Sequence, residues 1–362
     1  GLVNIADHLS DEQLDDISKQ VYEGYQTDLQ SRRAWDKAVE EWVKMATLVR
    51  EGKMYPWPKA SNVKYPIVAT AGMQFTARAY PTLIPSDGQV VKCKVIGKDP
   101  QGQKRILADR ISKFMSWQLM EDMDNWEADM DKLLTVLPIV GCAFKKTYYD
   151  KSQDKNVSKL VMPQDLIINY WTKDLECCER VTERMEMSKR LVKERQLQKI
   201  FSDVELHNPQ IKASPSLQPK HDALIQPPKE DETTPYVILE QHTFLDLDDD
   251  GYSEPYIVTF EEISKKVLRI VARYDKDDVD TDENGNITKI EPYQYYTKYG
   301  FIPNPDGGFY DVGFGLLLGP INESVNSIIN QLIDSGTLSN LDRKSTRLNS
   351  SHIPLSRMPS SA

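Results

Sequence analysis

The chain is predicted to be α+β, with helices and antiparallel strands in separate runs rather than in strict alternation. Three observations carry this prediction. Apolar residues recur at three- and four-residue spacing through much of residues 10–137. Residues 236–274 read instead as short strands rich in Val, Ile, Tyr and Phe. Residues 314–338 return to helical spacing, and no internal repeat is visible.

Ser10 followed by Gln13 is a capping-box signature that opens a helix through about Asp28. A second helix is predicted over 34–49, where Trp35, Ala38, Val39, Trp42, Ala46 and Val49 share a face. The Tyr55-Pro56-Trp57-Pro58 turn closes this hairpin, because the residue before a proline is driven out of the helical region. Residues 65–80 read as a buried, Ala-rich helix ending at Pro81, and Gly88 to Gly97 as a strand with Val91, Cys93 and Val95 alternating against lysines. The longest predicted helix runs from Gln103 to about Leu137. Its Ile106, Ile111, Phe114, Trp117, Leu119, Met123, Trp126, Met130 and Leu133 recur at mixed three and four spacing. Met120, Met123 and Met130 beside Trp117 and Trp126 offer a peptide groove but are expected to be core, and Pro138 and Gly141 end the helix. Residues 139–149 and 157–162 look like paired strands around a turn at 151–156.

Residues 207–235 hold six prolines and few apolar residues, which marks an extended linker or a surface loop. It separates a helix-rich α+β region, 1–206, from a β-rich one, 236–300, with strands over 236–245, 256–260 and 267–274. An Asn284-Gly285-Asn286 turn leads to one more short strand. Residues 301–341 form a Gly/Pro loop followed by an amphipathic helix. There Ile321, Val325, Ile328 and Leu332 recur at helical spacing, with Ile329 and Ile333 beside them. Asn322, Asn326 and Asn330 fall four apart along one edge of that stripe, placed to hydrogen-bond a neighbouring helix or chain.

Composition excludes several classes. The longest apolar run, 133–144, is interrupted by Pro138 and is too short for a bilayer, which takes roughly 20 residues. The four cysteines, Cys93, Cys142, Cys177 and Cys178, form neither a disulfide framework nor a metal-type spacing, and read as reduced thiols. The net charge of −10 argues against tight nucleic-acid binding, which draws on Lys and Arg releasing counterions from phosphate. No phosphate-cradling loop, nucleophile elbow or zinc motif is present, since Gln103 stands where the loop begun at Gly97 would need its lysine. With no nucleophile beside a base, the chain is expected not to be an enzyme. Asp246, Asp248 and Asp250, followed by Gly251 and Glu254, imitate the start of a calcium loop. Ile257 stands where the bidentate Glu belongs, so an acidic hairpin turn competes with a calcium site, and no other cofactor is indicated.

The stretch FIPNPDGGFYDVGFGLLLGPINESVNSIINQLIDSGTL, from Phe301 to Leu338, closely resembles the portal proteins of short-tailed bacteriophages, where this pattern is nearly a signature. WPKASNVKYPIV from Trp57, LPIVGCAFKK from Leu137 and DLDDDGYSEPYIVT from Asp246 match the same family, so the resemblance spans most of residues 50–340. It implies a wing-like α+β region and a non-catalytic structural protein of the virion, assembled in the host cytoplasm. It further implies a dodecameric ring at one capsid vertex, a head–tail connector through which double-stranded DNA is packaged and ejected. The partners implied are other copies of the chain, terminase, capsid or scaffold proteins and tail adaptors, with no membrane. Ile321, Asn322, Val325, Asn326, Ile328, Asn330 and Leu332 are expected at the oligomer interface, and the acidic composition suggests a channel wall that repels phosphate. The competing expectation is a calcium-dependent binding module on Asp246, Asp248, Asp250 and Glu254.

Residues 342–352, DRKSTRLNSSH, look like a translated sequencing adapter, so 342–362 are set apart from the fold. Without the +3 of that tail, residues 1–341 carry −13. The chain also begins at Gly1 with no methionine, and it is expected to be a piece of a longer protein.

Overall fold

The computed structural model describes residues 4–50, 57–58, 60–150, 153–211, 214–216, 229, 231–248, 251–281 and 287–350. The Asn284–Asn286 turn, Tyr55 and Pro56 of the first hairpin's turn, residues 351–362 and much of the Pro-rich stretch lie outside these. The class is α+β, as the sequence predicts.

Helix α1 (Asp11–Ser31) opens on the capping box: Ser10 Oγ accepts the Gln13 N–H while the Gln13 side chain accepts the Ser10 N–H. Helix α2 (Arg33–Ala46) follows after Arg32 alone. Helix α3 (Ile67–Leu83) runs on past the predicted stop, with Pro81 in its last turns. The predicted helix over 103–137 is in fact two, α4 (Gln103–Trp117) and α5 (Trp126–Val140). A π-helical turn (Gln118–Asp122) and Asn125 at φ +60° break it. Asn tolerates the left-handed region without glycine, so neither Gly nor Pro announces this break.

Strands β1 (Cys142–Asp150), β2 (Lys155–Val161) and β10 (Tyr296–Gly300) form an antiparallel sheet in the order β10-β1-β2. A second antiparallel sheet, ordered β3-β4-β5-β6-β7, contains β3 (Leu166–Ile168), β4 (Val181–Met187), β5 (Tyr236–Leu245), β6 (Glu254–Glu261) and β7 (Val267–Ala272). Short β8 (Val279–Thr281) and β9 (Ile287–Ile290) pair beside it, and α6 (Lys189–Leu197) follows β4. Met187 of β4 sits opposite Tyr236 of β5, so the chain between them joins two paired neighbours of one sheet, and of its Pro-rich part Ile211, Ser214, Ser216 and Thr234 are buried. The predicted strand over 88–97 pairs with no strand among the described residues; Ser112 and Ser116 of α4 bond the backbone of Val91.

Period-two alternation sorts the five-stranded sheet. Val237 and Leu239 face Ile17, Val21 and Tyr25 of α1, while Tyr236 and Ile238 face Val192 of α6. Trp126, Met130, Leu133, Leu134 and Leu137 of α5 pack with Ile84 and Ala143 in a separate cluster. Of the methionines and tryptophans expected to be core, Trp126 and Met130 are buried and Met120 and Met123 half-buried, while Trp117 is exposed, as are Ile106, Ile111 and Phe114 of the same helix. The buried Lys146 ammonium joins the two sheets, 2.6 Å from both Glu183 of β4 and Glu240 of β5, with Tyr296 on Glu183 at 2.9 Å.

Arg32, 1% exposed, ties the α1–α2 junction to the loop before β3. Its guanidinium donates to the carbonyls of Leu166 (2.6 Å), Gln164 (2.9 Å) and Pro163 (3.2 Å) and meets Asp36 at 2.9 Å. Such a buried cation stands only because carboxylate and carbonyls surround it.

Gly141 ends α5 at φ +104°, packed so closely on the Asp311 carbonyl that a Cβ would collide with it. Gly141→Ala is expected to cost about 2–4 kcal/mol through backbone strain and the forced shift of residues 311–313, measured by denaturant unfolding. Lys145 gives a pH test. Its ammonium is buried 5.0 Å above the Trp126 ring with no hydrogen-bond partner among the described residues, and burial lowers its pKa to about 8. Below that pH the folded state carries a buried charge, and the penalty fades as pH rises towards the unfolded-state value of about 10.4. Lys145→Met is therefore expected to stabilise the protein most at pH 7, with its gain over wild type shrinking between pH 8 and 10.

Candidate assembly site

The Gly/Pro loop that precedes the last helix is a bracket. Phe301 N–H bonds the Gly141 carbonyl at 2.8 Å, Val312 N–H bonds the Ile302 carbonyl at 2.8 Å, and Lys298 pairs with Asp311 at 2.8 Å. Asn304 and Asp306 turn the loop tip, Asp306 accepting the Gly308 N–H at 2.7 Å while Gly307 supplies a φ of +73°. Phe309 stacks on Phe144, and Tyr310 stacks on Trp35 at 4.1 Å while its phenol donates to the Ile168 carbonyl at 2.9 Å. Burial pushes that phenol up to about 12, so it stays a donor. Helix α7 (Phe314–Ser350) leaves this bracket flush against α2: a Cβ on Gly315 would collide with the Trp42 ring.

The asparagines of α7 bind the first N–H of helix α3 and the segment of the same chain that precedes it, residues 61–65. Asn322 Oδ1 accepts the Ile67 N–H (3.1 Å), Asn326 Oδ1 the Tyr65 N–H (2.6 Å) and Asn330 Oδ1 the Val63 N–H (2.7 Å). Asp334 takes the Ser61 N–H at 2.8 Å. Asn330 also donates to the Val63 carbonyl at 3.1 Å, so its amide pairs with that residue as a strand would. The spacing works because four helical residues advance about 6 Å and two extended residues about 6.6 Å. Every second amide of the segment therefore meets every fourth residue of the helix, in antiparallel order. Asn322 and Asn330 are buried as a result.

The apolar stripe lies on the other flank. Ile321 is 54% exposed, Ile328 56% and Leu332 67%, and Leu316, Leu317, Ile333 and Leu338 are exposed as well, while Val325 is half-buried. The structure thus parts the seven residues expected at an interface. Asn322, Asn326 and Asn330 are occupied within the chain, whereas Ile321, Ile328 and Leu332 form an open surface. The four-residue spacing of the asparagines is visible in the sequence; the segment that answers it carries no motif, so the sequence does not say which neighbouring helix or chain they meet.

The acidic turn lies between β5 and β6, as a hairpin connection. Asp246 accepts the Gly251 N–H at 2.9 Å and Glu254 accepts the Tyr256 hydroxyl, Asp248 is exposed, and Asp250 lies outside the described residues. Among the described residues no three His, Cys, Asp or Glu side chains gather as metal ligands, and no helix is long and apolar enough to cross a membrane. Comparison with protein-family models and with curated proteins finds no match to this chain.

Asn330→Leu is expected to take from the partly solvent-exposed Val63 N–H and carbonyl their side-chain partner, at a cost of about 1–2 kcal/mol. In hydrogen exchange the amides of Val63 and Tyr65 should then lose protection while those of β5 keep theirs.

Proposed function

We propose that this chain is a subunit of a bacteriophage portal, a ring at one vertex of the capsid that conducts DNA during packaging and ejection without catalysis of its own. The resemblance of Phe301–Leu338 to portal proteins is the observation that carries the reading. The geometry of α7 supports it independently: a helix bracketed to the body on its polar side, with an apolar stripe left open, is what a subunit awaiting its neighbour presents. In this reading Leu317, Ile321, Ile328 and Leu332 meet the adjacent copy, and Val325 lies at the edge of that contact. The asparagines act earlier, holding α7 in the orientation that presents the stripe.

Terminase, scaffold and tail factors dock on the assembled ring. A chain of net charge −10 handles DNA by weak contact, since a wall dominated by carboxylates lets phosphates pass without counterion-release binding. Ile328→Asp with Leu332→Asp, both at exposed positions, should leave the melting temperature of the full-length protein unchanged and abolish rings in electron micrographs. Rings that persisted in this variant would remove the stripe from the interface, and a wild-type protein that stayed monomeric would remove the portal reading.

A further inference from the structure

Residues 88–117 form a basic island in an acidic chain. They hold seven Lys and Arg against two Asp, and Lys92, Lys94, Lys98, Lys104, Arg105, Arg110 and Lys113 are all exposed. Lys113 pairs with Asp109 at 2.9 Å; the other six make no ion pair among the described residues. Helix α4 at the centre of this island is inverted in the same way as α7. It buries Ser112 and Ser116, whose hydroxyls hold residues 89–91: Ser116 Oγ accepts the Val91 N–H at 3.0 Å, and Ser112 accepts from Gln89 at 3.0 Å and donates to the Val91 carbonyl. Its Leu107, Ile111 and Phe114, spaced four and three apart, make an open stripe, with Phe114 59% exposed.

A complementary surface exists on the same chain. Residues 121–131 contain six carboxylates and no cation, and Glu121, Asp122 and Asp131 make no ion pair among the described residues. Next to them Tyr80, Glu127, Ala128 and Asp131 line an open depression of about 350 Å³ between α3 and α5, room enough for an aromatic side chain. The depression is apolar as well as acidic, because Ala128 and the Tyr80 ring share its wall with the two carboxylates.

We propose that the basic, apolar face of α4 docks on the acidic depression of a second copy of this chain, Phe114 or Trp117 entering it while Arg110 and Lys113 meet Glu127 and Asp131. The inference rests on the reading of the chain as a ring subunit and names one contact between neighbours. The two patches are different surfaces, so each copy offers one and receives the other. Such a heterologous contact propagates around a ring. A phosphate backbone would satisfy the cations but leave Leu107, Ile111 and Phe114 in water, which favours a protein surface over nucleic acid.

The test is a charge swap in the full-length protein. One variant carries Lys104→Glu, Arg105→Glu, Arg110→Glu and Lys113→Glu; the other carries Glu121→Lys, Glu127→Lys and Asp131→Lys. Each alone is expected to lower the assembled fraction at least about tenfold by mass photometry, with melting temperatures unchanged. Mixed one to one they should assemble again, because each reversed α4 then finds a reversed depression. Wild-type assembly by either variant alone would overturn this contact and leave the ring reading standing. Failure of the mixture to assemble would overturn the pairing of these two patches. A first variant that assembled normally but lost affinity for duplex DNA or for phosphatidylserine vesicles would assign the island to that anionic partner instead. A wild-type protein that never assembled would overturn both readings.

Discussion

The register between α7 and residues 61–67 is the constraint on which the exposure of the apolar stripe of α7 depends. Asn322, Asn326, Asn330 and Asp334 each take a backbone amide of that segment. Each bond is worth only about 1 kcal/mol net, and the four together fix the register of the segment on the helix. Because the amides claim the inner face of the helix, the apolar residues are left on the outer one. A helix packed by ordinary hydrophobic burial would have turned that stripe inward instead.

The same device recurs. Ser112 and Ser116 fasten residues 89–91 to α4, and Asn4 bonds the Ile270 N–H (2.9 Å) and the Leu268 carbonyl (3.3 Å) of β7. In each case a side chain supplies the partner that a neighbouring strand would have supplied, which satisfies buried backbone without spending apolar surface. The body of the molecule, α1 on the five-stranded sheet and α5 on β1, is packed conventionally. Helices α4 and α7 leave apolar residues exposed, so the division between buried and exposed apolar surface follows from which residue types meet the chain's own backbone.

That division explains what was legible in the sequence. The capping box at Ser10, the β1–β2 hairpin and strands β5 to β7 followed from periodicity and local turn chemistry, because there the hydrophobic face and the buried face coincide. They part company in α4, where Ile106, Ile111, Phe114 and Trp117 have the spacing of core residues and the exposure of surface ones. Strands β3, β4 and β10 are too short or too polar to show alternation, and are held in place by sheet neighbours far off in sequence. The break at Asn125 needed no glycine or proline. At the assembly site the asparagine spacing was readable, but its partner was not, since an extended segment bound by side chains has no pattern of its own.

The most direct measurement is a cryo-electron microscopy map of the full-length protein under assembly conditions. The account predicts a closed ring in which Leu317, Ile321, Ile328 and Leu332 of α7 are covered by the neighbouring copy while residues 61–67 lie against the asparagines on the opposite side. A ring in which that stripe faces open solvent, or in which the asparagines bond the neighbour instead of residues 61–67, would contradict it.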